Sequence, residues 1–180
     1  MKTLMLSAVV AALLHITPTV VLEKRTDAVA RLIPGGDAFA ARAVRLSDAD
    51  AHKLHQAVDW SPDDDIVTFY IGRRAGALVG ALLFVRVDSP HGPVEVAVGF
   101  APDGAVGGVA VTKATVESKN WIQAALAAGL TAGYRGIKPG DAPAGALAIK
   151  DRVGALPFYM AQQVDKGVAR ALAAYGMFYR

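Results

Sequence analysis

The chain has 180 residues, 53% hydrophobic and 19% charged, a composition that excludes disorder and is long enough for one domain with its own core. Its net charge of +3 comes from scattered lysines and arginines with no basic stripe, which argues against nucleic acid as a partner. With no cysteine, disulfides, thiolate catalysis, zinc–thiolate sites, iron–sulfur ligation and thioether haem attachment are all excluded.

Residues 1–22 carry a single charge, Lys2, ahead of an apolar run from Leu4 to Leu14. That is a short basic start followed by an apolar stretch of signal-peptide length, and it predicts export. No Ala-x-Ala cleavage pattern follows, so an uncleaved N-terminal anchor is the alternative, with His15 and Pro18 as its costs. The expected location is periplasmic or otherwise extracytoplasmic, with residues 23–180 as one domain.

Thr26 to Ile33 predicts a short helix, stopped by Pro34-Gly35-Gly36. Phe39 to Leu46 is ambiguous and reads as a strand running into Ser47-Asp-Ala-Asp50, a capping-box pattern that opens a helix with Leu54 and Val58 on its buried side. Three adjacent acids, Asp63 to Asp65, invite a metal reading, but beside Pro62 and without calcium-loop spacing they read as a solvated turn. His52 and His55, three apart on one helix, read as a surface pair for want of a third ligand.

Ile66 to Ile71 and Ala77 to Val87 predict a hairpin around Gly72-Arg-Arg-Ala-Gly76. A turn through His91-Gly-Pro93 leads into Val94 to Phe100, and Pro102-Asp103-Gly104 hinges that run to Ala105–Thr112. Short connections pair neighbours, so these four runs form an antiparallel meander. From Ser118 the period changes: Trp121, Ile122, Ala125 and Leu126 fall at helical spacing. Residues 134–143 are a Gly/Pro-rich loop, 144–153 a short strand or irregular segment, and Met160 to Ala174 a second helix. Strands followed by helices predict an α+β fold in which a β-meander sheet is covered by helices.

No Gly-x-Ser-x-Gly elbow, Ser–His–Asp set, phosphate loop or Rossmann spacing is present, which removes hydrolase and kinase readings. Lys113, Lys119, Asn120 and Trp121 cluster at a strand-to-helix junction, where a helix N-terminus favours an anion. Glu117 is either a ligand-orienting group or a helix cap. His91, in a Pro-flanked turn, is either functional or a consequence of the turn.

The segments Leu32-Ile-Pro-Gly-Gly36, Gly76-Ala-Leu-Val-Gly80, the long stretch from His91 to Val109 and the terminal run from Val164 to Leu172 together resemble the periplasmic FMN-binding domain superfamily. That superfamily includes the flavin subunits of Rnf and sodium-pumping NADH:quinone reductases and the NosR-type domains. The resemblance spans about Val20 to Tyr175 and implies an FMN-binding-domain-like fold and extracytoplasmic electron transfer rather than a stand-alone enzyme.

The resemblance also brings Lys150 and Arg152 toward Lys113, Thr115 and Trp121, with Phe158 and Tyr159 as ring contacts. Members that attach FMN covalently carry Ser-Gly-Ala-Thr before the last helix, and here Phe158 stands near the threonine position. A phenyl ring has no oxygen to esterify, so any FMN is bound noncovalently. The alternative is a degenerate, flavin-free module that binds another planar ligand, such as haem, or a membrane redox complex. In that case the lysines are solvated and the aromatics belong to the core.

Overall fold

Alternating valines make Val94–Phe100 a strand buried along its whole length, and the sheet is built outward from it. A computed structural model describes residues 18–179. In chain order its elements are β1 (Thr19–Val21), α1 (Arg25–Leu32), β2 (Ala38–Arg45), α2 (Asp48–Val58), β3 (Ile66–Arg74), β4 (Ala77–Val87), β5 (Val94–Phe100), β6 (Val106–Thr115), α3 (Lys119–Ala127), α4 (Gly145–Ile149) and α5 (Ala155–Phe178). One antiparallel sheet runs in the order β1-β6-β5-β4-β3-β2. The fold is α+β, and the expected four-strand meander β3–β6 is its centre, widened by an edge strand on each side.

The two faces of the sheet are covered unequally. Val67, Phe69, Leu83, Val85, Val96, Val98 and Val111 point to the main core, where α5 supplies Met160, Val164, Val168 and Leu172, and α3 supplies Ile122 and Ala125. On the opposite face a smaller cluster joins Ala28, Leu32 and Ile33 to Leu82, Ala97 and Ala110.

The end of α1 can sit that close because glycines floor it. Gly72 lies opposite Gly80 on β3 and β4, and Gly99 opposite Gly108 on β5 and β6, the two pairs offset by two residues along β4. A Cβ on Gly99 would stand 2.8 Å from the Leu32 carbonyl oxygen, and one on Gly108 2.9 Å from Leu32 Cδ2. The small residues therefore set the depth at which a helix end packs on bare backbone.

β6 carries two bulges. Its partner residues jump between Gly99 and Phe100 and again between Glu95 and Val96, so Gly107 and Thr112 are each an extra residue. Each bulge turns two successive residues, Gly107 with Gly108 and Thr112 with Lys113, toward the α1 face.

Ser47 caps α2 as its spacing predicts, with its Oγ accepting from the Asp50 amide at 3.2 Å. Two expectations change. Within residues 144–153, Gly145–Ile149 form α4 and Lys150–Arg152 a 3-10 turn, helical where a strand or irregular segment was expected, with Ala144 and Val153 non-helical at the ends. The last helix begins at Ala155, five residues before the expected start, because Pro157 falls in its first turn, where no intrahelical N–H is required. Phe158 and Tyr159 thus lie on the helix and not in a loop before it.

The expected export or anchor segment falls on residues 1–17, outside the described residues, apart from its end, where Thr19–Val21 is β1 and pairs with Lys113–Thr115. Among the described residues no helix is long and apolar enough to cross a membrane.

Candidate functional site

The turn between β4 and β5 is held by its own polar groups. Ser89 Oγ accepts from the His91 amide at 3.2 Å and donates to the Gly92 carbonyl at 2.8 Å, while Gly92 takes a φ of +86° that glycine adopts without strain. A side chain at Gly92 would run into the Thr115 methyl group. Thr115, fully buried, donates its hydroxyl to the His91 carbonyl at 2.8 Å. It accepts in return from the Ser118 amide at 3.2 Å and from the Ser118 hydroxyl at 2.8 Å. The turn is thereby fastened to the β6–α3 junction.

This fastening aims one imidazole. His91 Nδ1 stands 3.1 Å from Glu117 Oε1, so an ionised carboxylate, which only accepts, places the proton on Nδ1. Trp121 and Tyr159 meet the imidazole edge-on, with ring centroids 5.0 Å and 5.6 Å away. The His91 side chain is 31% exposed and that of Glu117 47%, so the group opens to solvent.

Of the residues selected from the sequence, Thr115, Glu117, Trp121 and Tyr159 converge here. Lys119 and Asn120 occupy the exposed first turn of α3 beside them. The others do not join. Lys113 is turned by its bulge toward Glu95, 3.3 Å from Oε2. Lys150 and Arg152 lie toward the other end of α3, where Arg152 folds back to donate 2.7 Å to the Ala148 carbonyl and comes close to Gly129. Phe158 packs against the main core.

Glu95 anchors a second polar cluster that the sequence did not reveal. Arg25 reaches it through two nitrogens, with Nε 3.0 Å from Oε1, and Thr112 Oγ1 donates 2.8 Å to Oε1. Burial alone would raise the Glu95 pKa; Arg25, Thr112 and Lys113 outweigh it and hold the carboxyl below its usual value. The Arg25 guanidinium also lies over the Phe84 ring, 4.8 Å from its centroid.

Another cleft, of about 690 Å³, lies between the end of α1 and the Gly107–Gly108 bulge. A Gly-Gly pair inside a strand was its only mark in the sequence.

No family model, curated protein or solved structure matches this chain. Among the described residues no three His, Asp or Glu side chains gather as a metal site; His52 and His55 stay on the exposed side of α2, and Asp63–Asp65 form a tight turn whose Asp65 carbonyl accepts from the Leu46 amide at 2.8 Å.

The His91 group can do two things chemically. It offers an imidazole held in one orientation by Glu117, and it offers aromatic rings beside the first turns of two helices, α3 and α5. Ring contacts for a planar ligand are present. For a phosphate, Lys119 and helix-end amides are available, while Lys113, Lys150 and Arg152 are spent or distant.

Proposed function

We propose that this protein is an extracytoplasmic redox-support domain that binds a planar cofactor of the FMN type noncovalently on the face formed by His91, Trp121 and Tyr159. The observation that supports this reading is the convergence of Glu117, Trp121 and Tyr159 on one imidazole, with Thr115 holding the backbone carbonyl of the same histidine. A bound flavin would supply one- and two-electron chemistry. The chain's part is to present ring edges, place Lys119 at the α3 entrance and hold the His91 proton on Nδ1 by means of Glu117.

Titration of FMN into the purified protein is the test. Saturable quenching of flavin fluorescence, weakened at least tenfold by Trp121→Ala and by Tyr159→Ala, is the expected result. A protein that neither carries nor quenches flavin overturns the reading.

A second reading has an observation of its own: Trp121, Phe158 and Tyr159 are partly buried against the main core. Aromatics used in that way leave the face as a flavin-free binding or assembly module, for another planar ligand such as haem or for a membrane redox complex. Loss of thermal stability in Trp121→Ala without any flavin binding by the unaltered protein would select this reading.

A further inference from the structure

The cleft beside the first bulge of β6 is built from an unusual floor. The bulge places Gly107 and Gly108 in succession on the α1 face, and their roles differ. Gly108 is required by packing, since a Cβ there would stand 2.9 Å from Leu32. Gly107 is not: a Cβ there would find nothing nearer than 3.8 Å, and its backbone lies outside the left-handed region. The missing side chain at Gly107 serves only to keep the space above it empty.

That space has apolar walls from Leu32 and Val79, and a volume of about 690 Å³, inside the range of small-molecule sites. Its rim is cationic. Arg31 and Arg135 stand on it together with the Thr131 hydroxyl, and among the described residues no carboxylate lines the cleft itself, Glu23 lining the adjoining hollow. Arg31 is oriented by Glu23, which accepts from Nε at 2.9 Å and from Nη2 at 2.8 Å and leaves Nη1 uncommitted. Arg135 is exposed, and among the described residues no ion pair or hydrogen bond engages its guanidinium.

The floor also has a polar side. At one end Val106 exchanges backbone bonds with Gly136 and Ile137, both 2.8 Å, and at the other the Thr112 carbonyl accepts from Leu22. Between them the outer edge of β6 borders no strand among the described residues. A second hollow of about 330 Å³ continues along that edge past Gln123 and shares Arg31, Val109 and Thr131 with the first.

We infer that this cleft is a binding site for a small organic anion with a flat apolar body, lying on Gly107 with its acidic group at Arg135 and Arg31. The flat body is selected by a floor without side chains. The anion is selected by the unengaged Arg135 guanidinium, together with the one Arg31 nitrogen that the Glu23 carboxylate leaves over.

The site is separate from the His91 face, and its test is separate as well. The probe is 8-anilinonaphthalene-1-sulfonate, with N-phenyl-1-naphthylamine as its uncharged counterpart. The protein should bind the sulfonate saturably at one site, and backbone amides of residues 107–110 should shift in its NMR spectrum. Arg135→Gln should weaken the sulfonate at least fivefold, and Arg31→Gln with Arg135→Gln at least twentyfold, while the uncharged probe is unaffected. Gly107→Leu fills the cleft and should abolish binding of both probes. Trp121→Ala should change neither, so failure of the flavin reading leaves this one standing.

The inference is overturned if binding is unsaturable, if amides elsewhere shift instead, if the double arginine variant binds the sulfonate as well as the unaltered protein, or if Trp121→Ala abolishes binding. A folded Gly107→Leu that still binds the probes overturns it equally. Should Gly107→Leu not fold, the arginine series and the amide shifts decide.

Discussion

Thr112 Oγ1 donates to Glu95 Oε1 at 2.8 Å across the second bulge of β6, and Lys113, its neighbour in the chain, reaches the other oxygen of the same carboxylate. Successive residues of a regular strand point to opposite faces, so only the bulge lets both serve one acid. The carboxylate, whose side chain is 11% exposed, is thus charged at neutral pH with three donors on it. Replacing Glu95 by Ala strips Arg25, Lys113 and Thr112 of their shared acceptor, and should destabilise the fold by about 2 kcal/mol. Urea unfolding reads the loss.

The same carboxylate should make stability fall in acid. Its folded pKa lies below the unfolded value, so its contribution is complete above the ordinary Glu value of 4.5 and is lost as pH drops through the folded one. Asp165 has the opposite sign. Burial pushes its carboxyl above the ordinary 3.8, and the bonds donated by Tyr134 at 2.7 Å and by the Ala146 amide offset only part of that. Its contribution is therefore complete below 3.8 and is lost as pH rises through its folded value. Unfolding free energies measured from about pH 3 to pH 7 should show the acid-side loss disappearing in Glu95→Gln. In Asp165→Asn the decline on raising pH should disappear instead. Identical pH profiles for the two variants would contradict both assignments.

Tyr134 tests the same buried pair from the other side. Its hydroxyl is the donor to Asp165, and burial first, then the neighbouring carboxylate, push its pKa up, so it stays protonated. Tyr134→Phe removes that donor and leaves the rest of the ring in place. The variant should lose about 1–2 kcal/mol, and its Asp165 should titrate still higher, visible by carboxyl NMR.

The glycines under α1 predict a position-specific pattern. Gly99→Ala puts a methyl group 2.8 Å from the Leu32 carbonyl oxygen and should cost about 1–3 kcal/mol, because neither backbone can yield without moving the helix. Gly107→Ala, eight residues later on the neighbouring strand, makes only ordinary van der Waals contact, at 3.8 Å from the Gly99 carbonyl oxygen, and should fold as well as the unaltered protein. Denaturant midpoints for the pair distinguish a packing glycine from a space-keeping one.

Much of this architecture was legible in the chain. β5 and β6 alternate clearly around Pro102-Asp103-Gly104, and Ser47 announces α2, because each rests on local chemistry: period-2 valines, a preset turn and a side-chain cap. β2 was ambiguous for a physical reason. Its sequence Ala-Phe-Ala-Ala-Arg-Ala-Val-Arg lies on an exposed edge with no buried face to impose alternation. The candidate site was half legible. Glu117 and Trp121 are near His91 in consequence of one junction, whereas Lys150 and Arg152 depend on the path of residues 130–153, which no periodicity specifies. The bulges decide the rest: nothing at Thr112-Lys113 says that both side chains share a face, and Gly107-Gly108 reads equally as a weak strand.

The N-terminal edge gives a last prediction. Val20 pairs with Ala114, the Leu22 and Glu23 amides reach the Thr112 carbonyl at 2.8 and 3.3 Å, and Glu23 holds Arg31. Thr19–Val21 therefore belong to the sheet as β1, and Leu22 and Glu23 brace the second bulge, so a chain cut after Glu23 lacks β1 and that brace. A form beginning at Thr19 should be more stable than one beginning at Lys24 by about 2 kcal/mol, from a few backbone bonds at roughly 0.5–1.5 kcal/mol each. The shorter form should also show faster amide exchange at Lys113–Thr115, whose strand has then lost its outer neighbour. Equal midpoints and equal exchange in the two forms would show that β1 adds nothing to the sheet.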